Sequence, residues 1–338
     1  MPKGLLLLNL GSPSAPDRAS VARYLRQFLS DPRVIDIPAV PRYLLVNGII
    51  APFRSPRSAK AYAEIWTAEG SPLIAHSRRL SDAVQARLGS GWQVAVGMRY
   101  GAPSTAEALK RLTGAGCSSI AVMPLYPQYS SATTGSSLEE VGRAMRGLWN
   151  VPAITTVPAF FADEGYLAAT AAPIAACLAE VPDAHVLFSF HGLPERQVRK
   201  GDRGCLQGDC CAAPKPFCYK SQCMATAKAL AARLDLGKHR WSVGFQSRLG
   251  REPWLGPNTV DVAKDLAGSG HALVVAAPSF VADCLETLEE LGGRLKASFQ
   301  AAGGGEFRVA PCPNASAAWV DAVARMACEA LPRADELG

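Results

Sequence analysis

Seven short apolar runs punctuate this chain: GLLLLNL (4–10), WQVAVGM (92–98), SSIAVMPL (118–125), AITTV (153–157), HVLFSF (185–190), WSVGF (241–245) and ALVVAAP (272–278). They are near-continuous in apolar and β-branched residues rather than alternating with polar ones, so each predicts a strand buried on both faces. Between them lie stretches with helical spacing, such as SVARYLRQFLS (20–30), TAEALKRLTGAG (105–116) and TAKALAARLDLG (226–237). Buried strands alternating with amphipathic helices predict an α/β protein whose parallel sheets are covered by helices on both faces. A chain of 338 residues carries enough units for two such sheets. The division is expected near residues 150–165: an N-terminal domain over 1–160 and a C-terminal domain over 161–338, with the final helix free to pack back on the first.

Composition excludes several functions. The formal net charge of +6 is mild, and no run of Lys and Arg is interleaved with aromatics, so nucleic acid is not an expected partner. The opening MPKGLLLLNLGSP has too short an apolar run to span a bilayer and no cleavage signature after it, which predicts a buried strand and a cytoplasmic protein. VIDIPAVPRYLLVNGIIAPF (34–53) is the most apolar long stretch, interrupted by Pro38, Pro41, Arg42 and Pro52. Two readings stand: a core helix flanked by turns, or an apolar lip over a pocket or against the inner face of a membrane. There is no P-loop, and no GxGxxG follows the first strand, which argues against nucleoside triphosphates and an ordinary dinucleotide site.

In an open α/β sheet, ligands bind outside the carboxyl ends of the strands. The segments at those ends are NLGSP, MRYGAP, PLYPQYSSATTGSS, SFHGLPER, FQSRLGREPWLGP and APSFVADCLETLEEL. Turn chemistry explains part of the Gly and Pro, but not the arrival of Arg99, Tyr100, Tyr126, Tyr129, His191 and Trp254 at one end. A lone His such as His191 is more often a hydrogen-bonded structural residue than a catalytic one; its place at a strand's carboxyl end evens those odds. On an α-helix, Asp283, Glu286 and Glu290 would share one face, with Glu289 pointing elsewhere. A solvated acidic face is the ordinary explanation; the alternative is a file of carboxylates that shuttles protons or passes a divalent cation, where carboxylate with imidazole suits Fe, Mn or Zn. An aromatic and basic surround suits a flat apolar ligand bearing carboxylates.

GCLQGDCCAAPKPFCYKSQC (204–223) holds five of the ten cysteines: Cys205, Cys210, Cys211, Cys218 and Cys223. Without a secretory signal, such clustering points to metal or redox chemistry rather than disulfides. Four thiolates suffice for a [2Fe–2S] cluster or for structural zinc.

Taken in order, eight segments resemble the ferrochelatases, enzymes that insert ferrous iron into a porphyrin: LLLNLGSP (6–13), YLRQFLSDPRVID (24–36), IWTAEGSPL (65–73), MRYGAP (98–103), PLYPQYSSATTGSS (124–137), SFHGLPER (189–196), FQSRLGREPWLGP (245–257) and FVADCLETLEELG (280–292). The resemblance implies two Rossmann-like domains with a porphyrin cleft between them. It implies His191 and Glu286 as the catalytic pair that meets Fe²⁺, with Asp283 and Glu290 along the proton or metal path. Met98, Arg99, Tyr100, Tyr126 and Trp254 would be substrate-binding residues, and the 34–53 segment the lip. Protoporphyrin IX is the expected porphyrin, to give heme; a coproporphyrin enzyme and a heme or porphyrin carrier or sensor are the alternatives. The cysteine segment 203–223 resembles an insertion found in bacterial members that gather the ligands of a [2Fe–2S] cluster inside the chain. That implies four of its five cysteines as ligands, with one of Cys210 and Cys211 the extra. The assembly is expected to be a monomer or a homodimer.

Overall fold

The computed structural model describes residues 1–332 except 249 and 251. The chain divides into two units: Met1–Leu125, Ser131–Pro158 and the segment from Ala315 form the first, and Tyr126–Ser130 with Ala159–Asn314 form the second.

In the first unit, β1 (Lys3–Gly11), β2 (Trp92–Tyr100), β3 (Ser119–Pro124) and β4 (Ala153–Thr156) form a parallel sheet in the order β2-β1-β3-β4. β1 is central, with Leu6 beside Ala95 on one flank and Val122 on the other. Leu5 to Leu8 are completely buried, as a strand covered on both faces requires. Each such leucine contributes roughly 2 kcal/mol through burial. Leu6, Leu8, Ile120 and Val122 pack with Leu109 and Leu112 of the Thr105–Gly114 helix. That helix starts in a reciprocal cap: Glu107 N–H donates to Ser104 Oγ, and Ser104 N–H donates to Glu107 Oε2. The Ala317–Ala330 helix packs on the Pro72–Leu88 helix of this unit, with Trp319 fully buried. Arg87 Nε bonds Asp321 at 2.5 Å, and Lys3 Nζ donates to the Leu331 carbonyl at 2.7 Å.

In the second unit, β5 (His185–His191), β6 (Trp241–Gln246), β7 (Leu273–Ala276) and β8 (Phe307–Val309) repeat the arrangement as β6-β5-β7-β8, again all parallel. β8 is not foreshadowed by the apolar runs, because three residues are too few to make one. Leu187, Leu273 and Val275 meet Leu291, Leu295 and Phe299 in the core.

The 34–53 segment resolves differently from its core-helix reading. Residues 39–65 run as Ala39–Leu44 (α), Leu45–Ile50 (π) and Ala51–Ile65 (α). No residue of Ala39–Leu44 is buried, and Val46 is the one buried residue of Leu45–Ile50. Val40, Tyr43, Leu44, Ile49 and Phe53 are 57–76% exposed. Pro41 falls in the first turn, where no N–H is needed. Pro52 falls where the wide π turn returns to α. The prolines therefore shape the helix without ending it. Among the described residues, no helix is long and apolar enough to cross a membrane.

Candidate active site

His191 is the last residue of β5. Its backbone N–H donates to Ser279 Oγ at 3.2 Å, and its carbonyl accepts from Tyr219 Oη–H at 2.8 Å. Ring Nδ1 lies 2.7 Å from the Gly192 carbonyl. A carbonyl can only accept, so Nδ1 carries a proton, and in the neutral ring it is Nε2 that presents the lone pair. Gly192 makes this possible: a Cβ there would stand 2.7 Å from the Gln246 carbonyl and 3.2 Å from the Trp254 ring. The loop after His191 thus lies flat on the end of β6, and Leu255 N–H to Leu193 O (2.9 Å) pins the Trp254 segment beside it.

Glu286 opens a ten-residue π-helix, Glu286–Leu295. Burial, then the neighbouring Glu290 carboxylate, push Glu286 above the ordinary carboxyl range, while His191 and the Cys284 thiol oppose the rise. All three residues belong to the second unit, and Glu286 feels the charge of both Glu290 and His191. Glu290 is braced: Oε2 accepts from Ser247 Oγ–H at 2.5 Å, and Oε1 lies 3.1 Å from Arg294 Nη2.

Asp283 departs from the predicted file of three carboxylates on one helical face. It precedes the helix, and its oxygens are already engaged. Oδ1 accepts from Thr287 Oγ1–H (3.0 Å) and Cys312 N–H (3.3 Å); Oδ2 accepts from Asn314 Nδ2 (2.7 Å). Asp283 N–H in turn donates to Asn314 Oδ1 at 2.8 Å. It anchors the helix start, and a buried carboxylate with three donors is poorly placed to relay a proton.

Met98 and Tyr100, predicted to meet substrate, lie inside the first unit at 1% and 0% exposure. The alternation of β2 turns both into the core. The Arg99 side chain, 9% exposed, is committed to Asp31: Nη2 to Oδ2 is 2.6 Å, while Nε donates to Ser136 Oγ at 2.6 Å. The Tyr100 hydroxyl also donates to Asp31 Oδ2, at 2.8 Å. Sequence alone hides this partner, because Asp31 sits in SDP, a pattern that reads as a turn. Tyr126 and Trp254 are half-buried in the second unit.

The five clustered cysteines lie on the turn and helix start after His191. Cys205, Cys218 and Cys223 are fully buried; Cys210 and Cys211 are half-buried. The sulfurs of Cys205 and Cys218 are 3.5 Å apart, and those of Cys210 and Cys211 are 3.8 Å apart. Burial and the neighbouring thiols raise Cys205 to about 12 and Cys211 to about 11. Among the described residues, no three His, Cys, Asp or Glu side chains converge as ligands of one metal ion. Gln222 ties the segment down, with Nε2 donating to the carbonyls of Lys215 and Pro216 at 2.9 Å each.

Among solved structures, the chain is similar to SirB from Bacillus subtilis with Fe³⁺ (TM-score 0.57, 12% identity, covering 99% of this chain and 98% of that one). It is also similar to the sirohydrochlorin chelatase SirB from Bacillus subtilis subspecies spizizenii in complex with cobalt (TM-score 0.53, 11% identity, covering 99% and 98%). At these identities the likeness concerns the fold: a two-domain α/β chelatase fold. In sequence, it is 44% identical over 327 residues to a ferrochelatase of Legionella pneumophila strain Corby, spanning 96% of this chain and 98% of that protein. It is 43% identical over 337 residues to a ferrochelatase of Coxiella burnetii strain Dugway 5J108-111, spanning 97% and 94%. The Ferrochelatase family model matches residues 2–331. Matched by that model over nearly its whole length and by relatives at 43–44% identity, this chain belongs to the ferrochelatase family, the porphyrin metal chelatases.

Proposed function

We propose that this chain inserts Fe²⁺ into protoporphyrin IX to form heme, using His191 and Glu286. Family membership carries the reaction class; the observation that carries the residue roles is His191 presenting its Nε2 lone pair, with Glu286 within its electrostatic reach. Insertion removes two pyrrole protons from a rigid ring while the metal enters. His191 accepts a pyrrole proton at Nε2, and the adjacent Glu286 carboxylate stabilises the imidazolium so formed. Glu286, held above the ordinary carboxyl range by burial and Glu290, is the second group placed to take up a proton. A site that holds the ring bent toward the transition state lowers the barrier by differential binding. Tyr126 and Trp254 supply aromatic surface; Met98, Arg99 and Tyr100 support the end of β2 from within.

The choice of protoporphyrin IX rests on the resemblance. The exposed apolar 39–65 helix supports contact with a membrane surface. The test is anaerobic Fe²⁺ insertion by the purified chain, with protoporphyrin IX and coproporphyrin offered separately. We expect turnover with protoporphyrin IX. His191→Ala and Glu286→Gln should each lower kcat by at least 100-fold, on the order of a lost acid–base group, while porphyrin still quenches protein fluorescence. Near-normal turnover by either variant would refute the roles, and turnover with coproporphyrin alone would reassign the substrate.

The cysteine segment supports a [2Fe–2S] cluster. Its donor set is thiol only, and the sulfurs stand in close pairs. A 3.5 Å separation lets Cys205 and Cys218 share one iron; thiol-only donors suit a [2Fe–2S] cluster or zinc alike, and the resemblance favours the cluster. Cys205 and Cys218 would hold one iron, with the other two ligands drawn from Cys210, Cys211 and Cys223. Such a cluster supplies one-electron redox chemistry, which metal insertion does not use, so it is read as structural or regulatory.

A further inference from the structure

Ser247 follows the end of β6 with φ +65°. A left-handed backbone suits glycine and is strained for serine. Serine persists there because its hydroxyl is used: it donates to Glu290 Oε2 at 2.5 Å. Arg294 holds the other oxygen of Glu290, and is itself fixed by bonds from Nε and Nη2 to Glu289 Oε2 at 2.9 and 2.7 Å. Glu290 is therefore gripped from its own helix and from the neighbouring strand end. Asn314, at φ +52°, does the same for Asp283. Asparagine tolerates that backbone readily, whereas serine does not, so Ser247 is the more telling of the two.

We infer that Ser247 is a positioning residue for iron insertion, fixing the Glu290 carboxylate beside Glu286 from a left-handed turn. The inference rests on the functional reading above. A hydrogen bond alone could serve the fold, so the decisive comparison separates stability from turnover. Ser247→Gly removes the hydroxyl and at the same time relaxes the backbone. Its thermal midpoint should equal or exceed that of the parent chain, while kcat/KM for Fe²⁺ falls roughly tenfold, the weight of a hydrogen bond to a charged group. Ser247→Asn, which accepts this φ and carries an N–H donor, should recover most of the loss. In a Glu290→Ala background, Ser247→Gly should cause no further change, because the two act as one unit. Parent-like kcat/KM in Ser247→Gly, or an equal fold-loss with and without Glu290, would overturn the inference while leaving the functional reading intact. A parent chain that inserts no iron would overturn both.

Discussion

Asp31 Oδ2 takes bonds from Arg99, Tyr100 and Ser136, and Oδ1 takes one from Arg33 N–H at 2.7 Å. Burial alone would raise its pKa, but these donors outweigh it and hold the carboxyl below its usual 3.8. A depressed folded-state pKa stabilises the protein above 3.8, and that stability is lost as pH falls through the lower folded value. Asp31→Asn should therefore destabilise the first unit by about 3 kcal/mol at neutral pH, since it removes the carboxylate on which Arg99, Tyr100 and Ser136 converge and leaves Arg99 the longer 3.4 Å pairing with Glu140. In urea melts across pH, the gap between parent and variant should stay constant above the usual carboxyl range and narrow below it. A gap that persists in strong acid would refute the account. Arg99 itself was legible as a residue at a strand end. Its partner was not, because the pairing joins positions 31, 99 and 136 through three-dimensional packing. His191 was placed by its strand, whose last residue it is, whereas Glu286 opens a helix ten residues beyond the end of β7.

At the scale of elements, the 39–65 helix makes the sharpest contrast. Hydropathy marks it as apolar but cannot say whether that face is covered. The fold leaves Val40, Tyr43, Leu44, Ile49 and Phe53 open, with Arg54, Arg57 and Lys60 exposed close by. An apolar face flanked by cations suits an anionic lipid surface. The chain should sediment with vesicles containing phosphatidylglycerol, less so at high salt, and Phe53→Ser should weaken binding roughly tenfold without moving the thermal midpoint. Equal binding to uncharged vesicles, or an unaffected Phe53→Ser, would count against it. The cysteine segment is a second such element. Anaerobically purified protein should be coloured and carry iron and acid-labile sulfide, and Cys205→Ser or Cys218→Ser should bleach it. A colourless sample holding zinc would replace the cluster with a structural ion. The π-helix at Glu286 was not legible: its residues read as α, and the wide turn with Asp283 left outside it depends on the Asn314 and Thr287 bonds that gather around that carboxylate.

Across the whole molecule, the two units carry one topology: a central strand, its first parallel neighbour on one side and two more on the other. Continuous apolar runs with helices between them permit little else, because such strands must be covered on both faces and right-handed crossovers place the helices there. Chain order does not reveal that Tyr126–Ser130 belongs with the second unit, or that the helix beginning at Ala317 lies with the first. Both depend on which buried faces remain to be filled once the sheets have formed, as the Ala317–Ala330 helix, with Trp319 fully buried, does against the Pro72–Leu88 helix. The fold class and the positions of the strand ends were written in the linear chain, since they depend on local periodicity. Packing alone selected which polar groups are already engaged, as with Arg99, Tyr100 and Asp283, and which stay available, as with Nε2 of His191. Hydrogen-bond partners come from distant parts of the chain, and a buried polar group takes whichever donor or acceptor the packing brings to it.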